Sequence, residues 1–379
     1  MMKRVCLAAV LFVVVLSATV LAAEKGTASA TMPTLRQAAG NRMLMGASLM
    51  SHELDDARRA AFIAEQFNCL TPGNEMKPDA LQNVKGKFTF ERADKIVAFA
   101  EAHGMTMIGH TLCWHNQAPA WLFMDENKKP LQREVALENL RNHIHTVMEH
   151  YKGRVKGWDV VNEGLDDSGP YLRDTPARKA IGDDFIIKAF QFAREADPDA
   201  ELYYNDYNIE ANYKRPKALR LLKELKDAGV KVDGVGIQGH WLIDNGNIKE
   251  IDEGIKAFAD LGLKVMITEV DVDPLPRRQG AGADLSATQR EGLDPYKAGL
   301  PDDVQQKLAE RYRALFQVIM KYPQIQRVTF WGVDDGSSWL NDFPVRGRTN
   351  HPLLWDRNFQ PKPAFRAVIE TLQQSSVAK

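Results

Sequence analysis

Residues 201–238, ELYYNDYNIEANYKRPKALRLLKELKDAGVKVDGVGIQ, contain the pattern that decides the predicted fold. A short, largely apolar run at 201–205 precedes an amphipathic helical pattern at 215–228, and a second apolar run follows at 235–238. A strand, a helix and a strand in this order are typical of a βαβ unit, whose two strands lie parallel. The unit therefore predicts a parallel sheet covered by helices.

The same alternation extends from residue 43 almost to the end of the chain. Eight rounds in about 340 residues favour one closed (β/α)8 TIM barrel over an open doubly wound sheet. The nucleotide-binding pattern GxxxxGK[ST] is absent from the sequence. The predicted strands are 43–48, 68–71, 105–110, 155–162, 201–205, 235–238, 264–269 and 325–330. Predicted helices include 53–66, 92–102, 131–150, 181–196, 215–228 and 304–321.

Composition and charge exclude several classes of protein. The 379 residues are 44% hydrophobic and 26% charged, as in ordinary globular domains, which excludes collagen, coiled coils and wholesale disorder. The 49 Lys and Arg residues are balanced by 50 Asp and Glu residues, so the chain has no large excess of positive charge that would attract nucleic acid.

The amino terminus has the pattern of a secretory signal peptide. Residues 1–23 begin with Lys3 and Arg4, continue through an uncharged apolar run and close on Ala22 and Ala23. An uncleaved membrane anchor is the alternative, and both predict export to the periplasm or the extracellular space. We expect residues 24–40 to form a flexible lead-in and residues 41–375 to form the (β/α)8 catalytic domain.

One segment interrupts the βα rhythm. Residues 273–303, after the seventh strand, are too long and too rich in Gly and Pro for an ordinary connection. The segment is either a functional loop or a surface insertion that tolerates length, and its composition does not choose between them.

Polar side chains follow seven of the eight predicted strands. In a (β/α)8 barrel the reactive groups gather at the carboxyl ends of the strands, so these residues are candidates for a common site. They are Asn74, Glu75, Lys77, His110, Trp114, His115, Gln117, Asn162, Glu163, Asn205, Asp206, Tyr207, Gln238, His240, Glu269, Asp271 and Trp331.

Two carboxylates stand out because each ends a strongly apolar strand, Glu163 the fourth and Glu269 the seventh. These strands lie across the barrel from one another, so the two side chains can approach each other. Glycoside hydrolysis uses such a pair, one carboxyl as acid and the other, about 5 Å away in a retaining enzyme, as nucleophile. A single strand-end Glu is more often a helix cap or ion-pair partner, but two among amides, His and Trp favour a catalytic pair.

Other side chains near this pair allow two interpretations. Trp114, Trp331 and Trp339 either belong to the core or offer flat apolar faces to sugar rings. His110 and His115 lack a third ligand at a recognised metal spacing, so we expect no metal and no cofactor.

At these residues the sequence resembles the family 10 glycoside hydrolases, whose main activity is endo-1,4-β-xylanase. The resemblance covers residues 44–372. Its motifs, in family order, are TPGNEMK at 71–77, HTLCWHNQ at 110–117, WDVVNE at 158–163, QGH at 238–240, ITEVD at 267–271 and TFWG at 329–332.

The resemblance implies a role for each matching residue. Glu163 would be the acid/base and Glu269 the nucleophile, with retention of anomeric configuration, while Asn162 would contact the sugar 2-hydroxyl. Gln238 and His240 would border the nucleophile. Asp271 would orient His240, Tyr207 and Asn208 would lie on the leaving-group side, and the non-reducing-side sugars would be held by Asn74, Glu75, Lys77, His110, Trp114, Gln117, Trp331 and Trp339.

The expected partners are xylan and xylo-oligosaccharides, bound by a monomer. A β-glucanase or mannanase on a related barrel is the nearest alternative, and a non-catalytic carbohydrate-binding protein is the alternative from another class. A Schiff-base aldolase would need a lysine at a strand's carboxyl end, whereas Lys264 begins its strand.

Overall fold

The computed structural model describes residues 32–244, 247–275 and 294–377. The predicted signal peptide, residues 24–31 of the predicted lead-in and residues 276–293 of the loop after the seventh strand lie outside the described residues. In the described ranges, no helix is long and apolar enough to cross a membrane.

The described strands form one parallel sheet that closes on itself. Adjacent strands pair in chain order from β1 to β6, β1 also pairs with β9, and β8 pairs with both β6 and β9, which completes the barrel. The predicted (β/α)8 barrel is therefore confirmed. The strands are β1 Leu44–Leu49, β2 Cys69–Pro72, β3 Thr106–Cys113, β4 Gly157–Asn162, β5 Glu201–Asp206, β6 Gly234–Ile237, β7 His240–Leu242, β8 Lys264–Asp273 and β9 Ile325–Phe330.

Strand β7 is the one described strand that the sequence pattern did not predict. The first half of β8 pairs with β6, and its last three residues pair with β7, so β6 and β7 together act as one interrupted strand. The interruption falls at Gln238 and Gly239, and Gly239 has a φ of +80°, which favours glycine. This break brings the side chains on either side of it, Gln238 and His240, to the carboxyl end of the barrel.

Helices connect the strands on the outside of the barrel. They are α1 Leu35–Ala39, α2 Ala57–Gln66, α3 Pro78–Gln82, α4 Glu91–Ala102, α5 Arg133–His150, α6 Pro176–Ile181, α7 Phe185–Ala196, α8 Arg215–Asp227, α9 Ile248–Ala259, α10 Asp302–Ile319 and α11 Pro363–Val377. Short 3-10 helices cover Ser51–Asp55, Ala120–Leu122 and Trp339–Asn341.

Two predicted helices begin four residues later than the sequence pattern indicated. The side chain of Asp56 accepts the amide N–H of Arg58 at 2.8 Å, so α2 begins at Ala57 and a separate 3-10 turn precedes it. Gly182, with a φ of +114°, separates α6 from α7 inside the predicted helix 181–196.

The ordered fold begins earlier than the predicted boundary at residue 40. Thr34 and Gln37 form a capping box that starts α1, within the predicted lead-in. Leu35 is fully buried, and its amide N–H donates to Gln66 Oε1 at 3.0 Å. Helix α1, which lies within the predicted lead-in, is therefore packed against the rest of the fold.

Close packing between adjacent strands fixes the barrel interior near the site. Gly109 of β3 lies beside Trp158 of β4, and a Cβ at Gly109 would come within 2.1 Å of the indole ring. A larger residue at this position would displace β4, whose end carries Glu163.

Candidate active site

A cavity of about 220 Å³ opens where the carboxyl ends of the barrel strands meet. It brings together 12 of the site residues predicted from the sequence, namely Asn74, Lys77, His110, Trp114, Gln117, Asn162, Glu163, Gln238, His240, Glu269, Trp331 and Trp339. Sequence reasoning missed Met50 and Glu53, which also line it. They follow β1, the one strand whose carboxyl end had no candidate residue. Their position after a barrel strand could have identified them as site residues.

Glu163 follows β4 directly, with a φ of +56° that non-glycine residues rarely adopt. Its amide N–H donates to the carbonyl of Asn205 at 2.9 Å, which fixes the backbone at this point. Trp114 Nε1 donates to Glu163 Oε2 at 2.9 Å, and the Gln238 and Asn162 side-chain amides donate to Oε1 at 2.9 and 3.2 Å. The buried carboxyl is therefore held in one orientation.

The surroundings of Glu163 favour its protonated form. Burial raises its pKa to about 7, with the negative charges of Asp206 and Glu269 acting in the same direction against hydrogen bonds from Gln238 and Trp114. Below neutral pH the group keeps its proton, as a general acid must.

The surroundings of Glu269, within β8, favour the opposite state. Asn205 Nδ2 donates to Glu269 Oε1 at 2.8 Å, and His240 Nε2 lies 3.2 Å from Oε2. Burial alone raises the pKa of Glu269, but the hydrogen bond from His240 and the nearby His110 bring it below its ordinary value. The carboxylate therefore stays ionised at the pH where Glu163 is protonated.

His240 links the ionised Glu269 to a second carboxylate. Its Nδ1 lies 3.0 Å from Asp271 Oδ2, the contact predicted from the sequence, and Trp339 Nε1 donates to the same oxygen at 2.7 Å. Burial alone lowers the pKa of His240, but Asp271 and Glu269 raise it to about 10. The protonated imidazole donates from both nitrogens and fixes the orientation of Glu269.

A chain of side-chain amides connects the two glutamates. Asn205 donates to both Glu269 and Asn162, and Asn162 donates in turn to Glu163. Thr268 Oγ1 donates to Asn205 Oδ1 at 2.6 Å, which sets the orientation of that amide. Sequence reasoning placed Asn205 at a strand end but gave it no role.

One wall of the cavity is built around Lys77. Its Nζ donates to Asn74 Oδ1 at 2.8 Å and to Gln117 Oε1 at 2.7 Å, and lies 4.9 Å from the centre of the Trp114 ring. Burial lowers the pKa of Lys77 to about 8, against the attraction of the catalytic candidates' carboxylates, so the ammonium remains charged at neutral pH. This wall can donate and accept hydrogen bonds toward a ligand's hydroxyl groups.

Aromatic rings form another part of the cavity lining. Trp331 and Trp339 are partly exposed to the cavity, and Trp339 stacks on Phe343 with ring centres 4.6 Å apart. The buried His110 lies edge-on to Trp331 and contacts Asp159 at 2.9 Å. Throughout the described ranges, no three His, Cys, Asp or Glu residues are placed to hold a metal ion.

Four residues to which the family resemblance gives a role do not line this cavity. Asp271 acts through His240, as described above. Glu75 is turned inward, where its carboxylate accepts the amide N–H groups of Ser51 and Asn74 at 2.7 and 3.2 Å, so it stabilises the loop instead of facing the cavity. Tyr207 and Asn208 lie beyond the lining.

Tyr207 and Asn208 have partners of their own. Tyr207 is buried, and its hydroxyl group donates to Asp167. The Asn208 amide donates to the hydroxyl of Tyr213 at 3.0 Å, and Tyr213 is 51% exposed. Of these side chains, Tyr213 presents a ring to solvent, and it was not among the predicted residues.

A buried ion pair lies behind Glu163. Lys214 is fully buried and its Nζ contacts Asp206 at 2.8 Å and Asp167 at 2.9 Å. Burial alone lowers the pKa of Lys214, but the two aspartates raise it above its ordinary value. The charged lysine therefore offsets part of the negative charge of Asp206 that acts on Glu163.

Comparisons with known proteins agree with this geometry. A sequence profile of the family described as Glycosyl hydrolase family 10 matches residues 34–371. Endo-1,4-beta-xylanase A from Xylanibacter ruminicola is 43% identical over 344 residues, which cover 89% of this chain and 93% of that protein. An endo-1,4-beta-xylanase from Geobacillus stearothermophilus is 40% identical over 342 residues, which cover 89% and 98%.

Solved structures give the same result. A GH10 endoxylanase retrieved from a sugarcane soil metagenome has a TM-score of 0.85 and 40% identity to this chain, and the match covers 89% of this chain and 99% of that one. The profile spans the barrel from α1 to α11, and both carboxylates lie at the strand ends where the sequence motifs placed them. The chain belongs to glycosyl hydrolase family 10.

Proposed function

We propose that the chain is an exported, retaining endo-1,4-β-xylanase that cleaves xylan by double displacement through a covalent glycosyl-enzyme intermediate. The observation that carries the proposal is the pairing, in one cavity, of a carboxyl with a raised pKa, Glu163, and a carboxylate with a lowered pKa, Glu269. Two carboxyl groups in opposite protonation states are what a glycosidase requires.

In the first step Glu269 Oε attacks the anomeric carbon and the glycosidic C–O bond breaks. Glu163 transfers its proton to the departing oxygen, so the leaving sugar departs as a neutral alcohol. His240 and Asn205, which hold the two oxygens of Glu269, orient the attacking carboxylate.

In the second step Glu163, now ionised, removes a proton from water, and the resulting oxygen nucleophile attacks the anomeric carbon. The bond to Glu269 breaks, Glu163 recovers its proton, and two inversions give net retention. The chain of side-chain amides through Asn162 holds the two glutamates in fixed relative positions during both steps.

Xylan is the proposed substrate because the relatives named above are endo-1,4-β-xylanases. Export is proposed from the pattern of residues 1–23. The partly exposed Trp331 and Trp339 rings and the Lys77 wall supply the apolar and polar surfaces that sugar rings need.

A time course of products tests the substrate and the endo mode together. We expect glucuronoxylan and linear xylo-oligosaccharides to give mixed-length products early, and cellulose and mannan to give much slower release. The Glu269→Ala variant is the blank. Release of glucose or mannose oligomers at a higher initial rate than xylose oligomers would instead support the β-glucanase or mannanase alternative.

The absence of any product, together with retained binding, would favour the non-catalytic alternative. Isothermal titration of xylo-oligosaccharides with the unaltered protein measures that binding separately from hydrolysis. This separates a failure of chemistry from a failure of recognition.

The pH dependence gives a second prediction. We expect kcat/KM to fall above about pH 7, where Glu163 loses its proton, and to fall on the acid side only below the ordinary Glu value, near about 4.3. Asp206→Asn removes a negative charge that raises the pKa of Glu163, so the alkaline limb should move to lower pH. Lys214→Arg keeps the positive charge beside Asp206, so the limb should stay in place.

The measurement is kcat/KM on a xylo-oligosaccharide from pH 3 to 10 for all three proteins, with thermal melts to confirm folding. Because neither change alters the contacts of Glu269, the acid limb serves as the internal control. An alkaline limb that stays in place in Asp206→Asn, or that moves as far in Lys214→Arg, would contradict an electrostatic role for this ion pair.

A further inference from the structure

A second cavity, of about 500 Å³, lies at the opposite end of the barrel from the active site. Its lining comes from the amino ends of the strands and includes Thr106 of β3, Glu201 of β5, Lys264 of β8 and Arg327 of β9. Nothing in the proposed reaction uses this cavity.

Arg327 differs from the other lining residues in being a charged side chain that is almost fully buried. The side chain is 2% exposed, and its Nη1 donates to Thr329 Oγ1 at 3.1 Å. Its Nη2 has no hydrogen-bond partner among the described residues, and none of their carboxylates forms an ion pair with the guanidinium. A buried cation without a counter-charge is costly, so its neutralisation by a ligand is favourable.

The other charged groups around the cavity add to this imbalance. Lys156 and Lys264 share one carboxylate, Glu201, at 3.0 and 2.8 Å. Arg42 donates to backbone carbonyl groups, including that of Ile325 at 2.9 Å. Because these acceptors are neutral, they do not compensate its positive charge. Four cationic side chains thus line the cavity with one carboxylate, a formal excess of three positive charges.

We propose that this cavity binds a small polyvalent oxyanion of the phosphate or sulfate type, with Arg327 as its buried anchor. Guanidinium and ammonium groups donate charge-assisted hydrogen bonds to such oxygens, and Arg327 supplies the N–H group that lacks a partner. Lys156 and Lys264, whose side chains are 59% and 43% exposed, reach the anion from the rim.

Binding of an anion to the folded chain alone raises stability by mass action. The probe is inorganic phosphate, titrated against sodium chloride at constant ionic strength, with the melting temperature and calorimetric heat as readouts. We expect phosphate to raise Tm saturably, by roughly 5 °C at saturation, and to leave kcat/KM on xylo-oligosaccharides unchanged.

Two sets of variants connect the effect to the cavity. Lys156→Gln combined with Lys264→Gln changes exposed rim side chains and should fold normally while weakening phosphate at least about 10-fold. Arg327→Met should abolish the response and, without phosphate, melt no lower than the unaltered protein, because it removes an unpaired buried charge. Lys223→Gln, at an exposed helical pair with Asp227, is the matched control and should leave the response unchanged.

Three results would overturn the assignment. Phosphate that raises Tm no more than chloride does would exclude a polyvalent oxyanion site. An undiminished response in the double lysine variant would place any bound anion elsewhere. An Arg327→Met protein that folds and still binds phosphate with full affinity would exclude Arg327 as the anchor.

Discussion

Glu269→Gln is expected to lower kcat/KM on xylan by about 10⁴-fold or more, since it removes the group that forms the covalent bond. The amide has the same shape, and its oxygen can keep one of the two contacts, with His240 or with Asn205, so the cavity should keep its shape. We therefore expect loss of catalysis with substrate affinity largely retained. The ionised state of Glu269, set by His240, makes this the most sensitive position of the site.

The measurement is kcat/KM on xylan and on xylo-oligosaccharides, with Kd by titration calorimetry and thermal melts for both proteins. The matched control is Glu210→Gln, a buried glutamate that accepts a hydrogen bond from Trp241 at 2.8 Å and does not line the active-site cavity. We expect this control to keep its activity within about 10-fold. Similar losses in both variants would point to a general effect of neutralising buried glutamates and would contradict a nucleophilic role for Glu269.

Much of the fold and the proposed catalytic pair could be predicted because both depend on local patterns. The alternation of strands and helices is visible in the sequence as a repeated change of hydrophobic period. Because the reactive groups of a (β/α)8 barrel lie at the carboxyl ends of its strands, the position of a residue in the sequence then predicts where it lies in the fold. Glu163 and Glu269 each follow an apolar run directly, so their convergence required no knowledge of loops.

Features that depend on tertiary contacts were not predictable in the same way. Strand β7 has three residues, too few to show a period, and it exists because Gly239 permits a break beside β8. Glu75 lies in a matching motif, yet its carboxylate turns toward the N–H group of Ser51, which precedes it by 24 positions. Which way a strand-end side chain turns depends on donors that are distant in sequence.

The same limit applies to the groups that tune the glutamates. Lys214 lies just before an ordinary amphipathic pattern in the sequence, and its full burial between Asp206 and Asp167 becomes visible only when the loop after β5 is folded. The proposed reacting groups could therefore be identified from sequence motifs. The causes of their protonation states are visible only in the three-dimensional contacts.

Glu163→Ala provides the second large effect, and its size should depend on the leaving group. On xylan, where the departing sugar oxygen needs a proton, we expect kcat/KM to fall by about 10²- to 10⁴-fold. On dinitrophenyl β-xylobioside, whose phenolate departs without a proton, the first step should remain close to the unaltered rate. Glu269 still attacks, so the covalent intermediate forms and accumulates, because Glu163 is no longer present to activate water.

Azide then distinguishes this explanation from simple damage to the site. Azide needs no general base, and it attacks the anomeric carbon of the intermediate, breaks the bond to Glu269 and gives a β-glycosyl azide with restored turnover. Glu163→Gln is the matched variant, since its amide can keep the contact with Trp114 Nε1 while it lacks the acid proton, and it should show the same dependence on leaving group. An equal loss on both substrates, or an azide product of α configuration, would assign the acid/base role to another residue.

Because the alkaline limb reports the proton on Glu163, either variant should also lose that limb on the activated substrate.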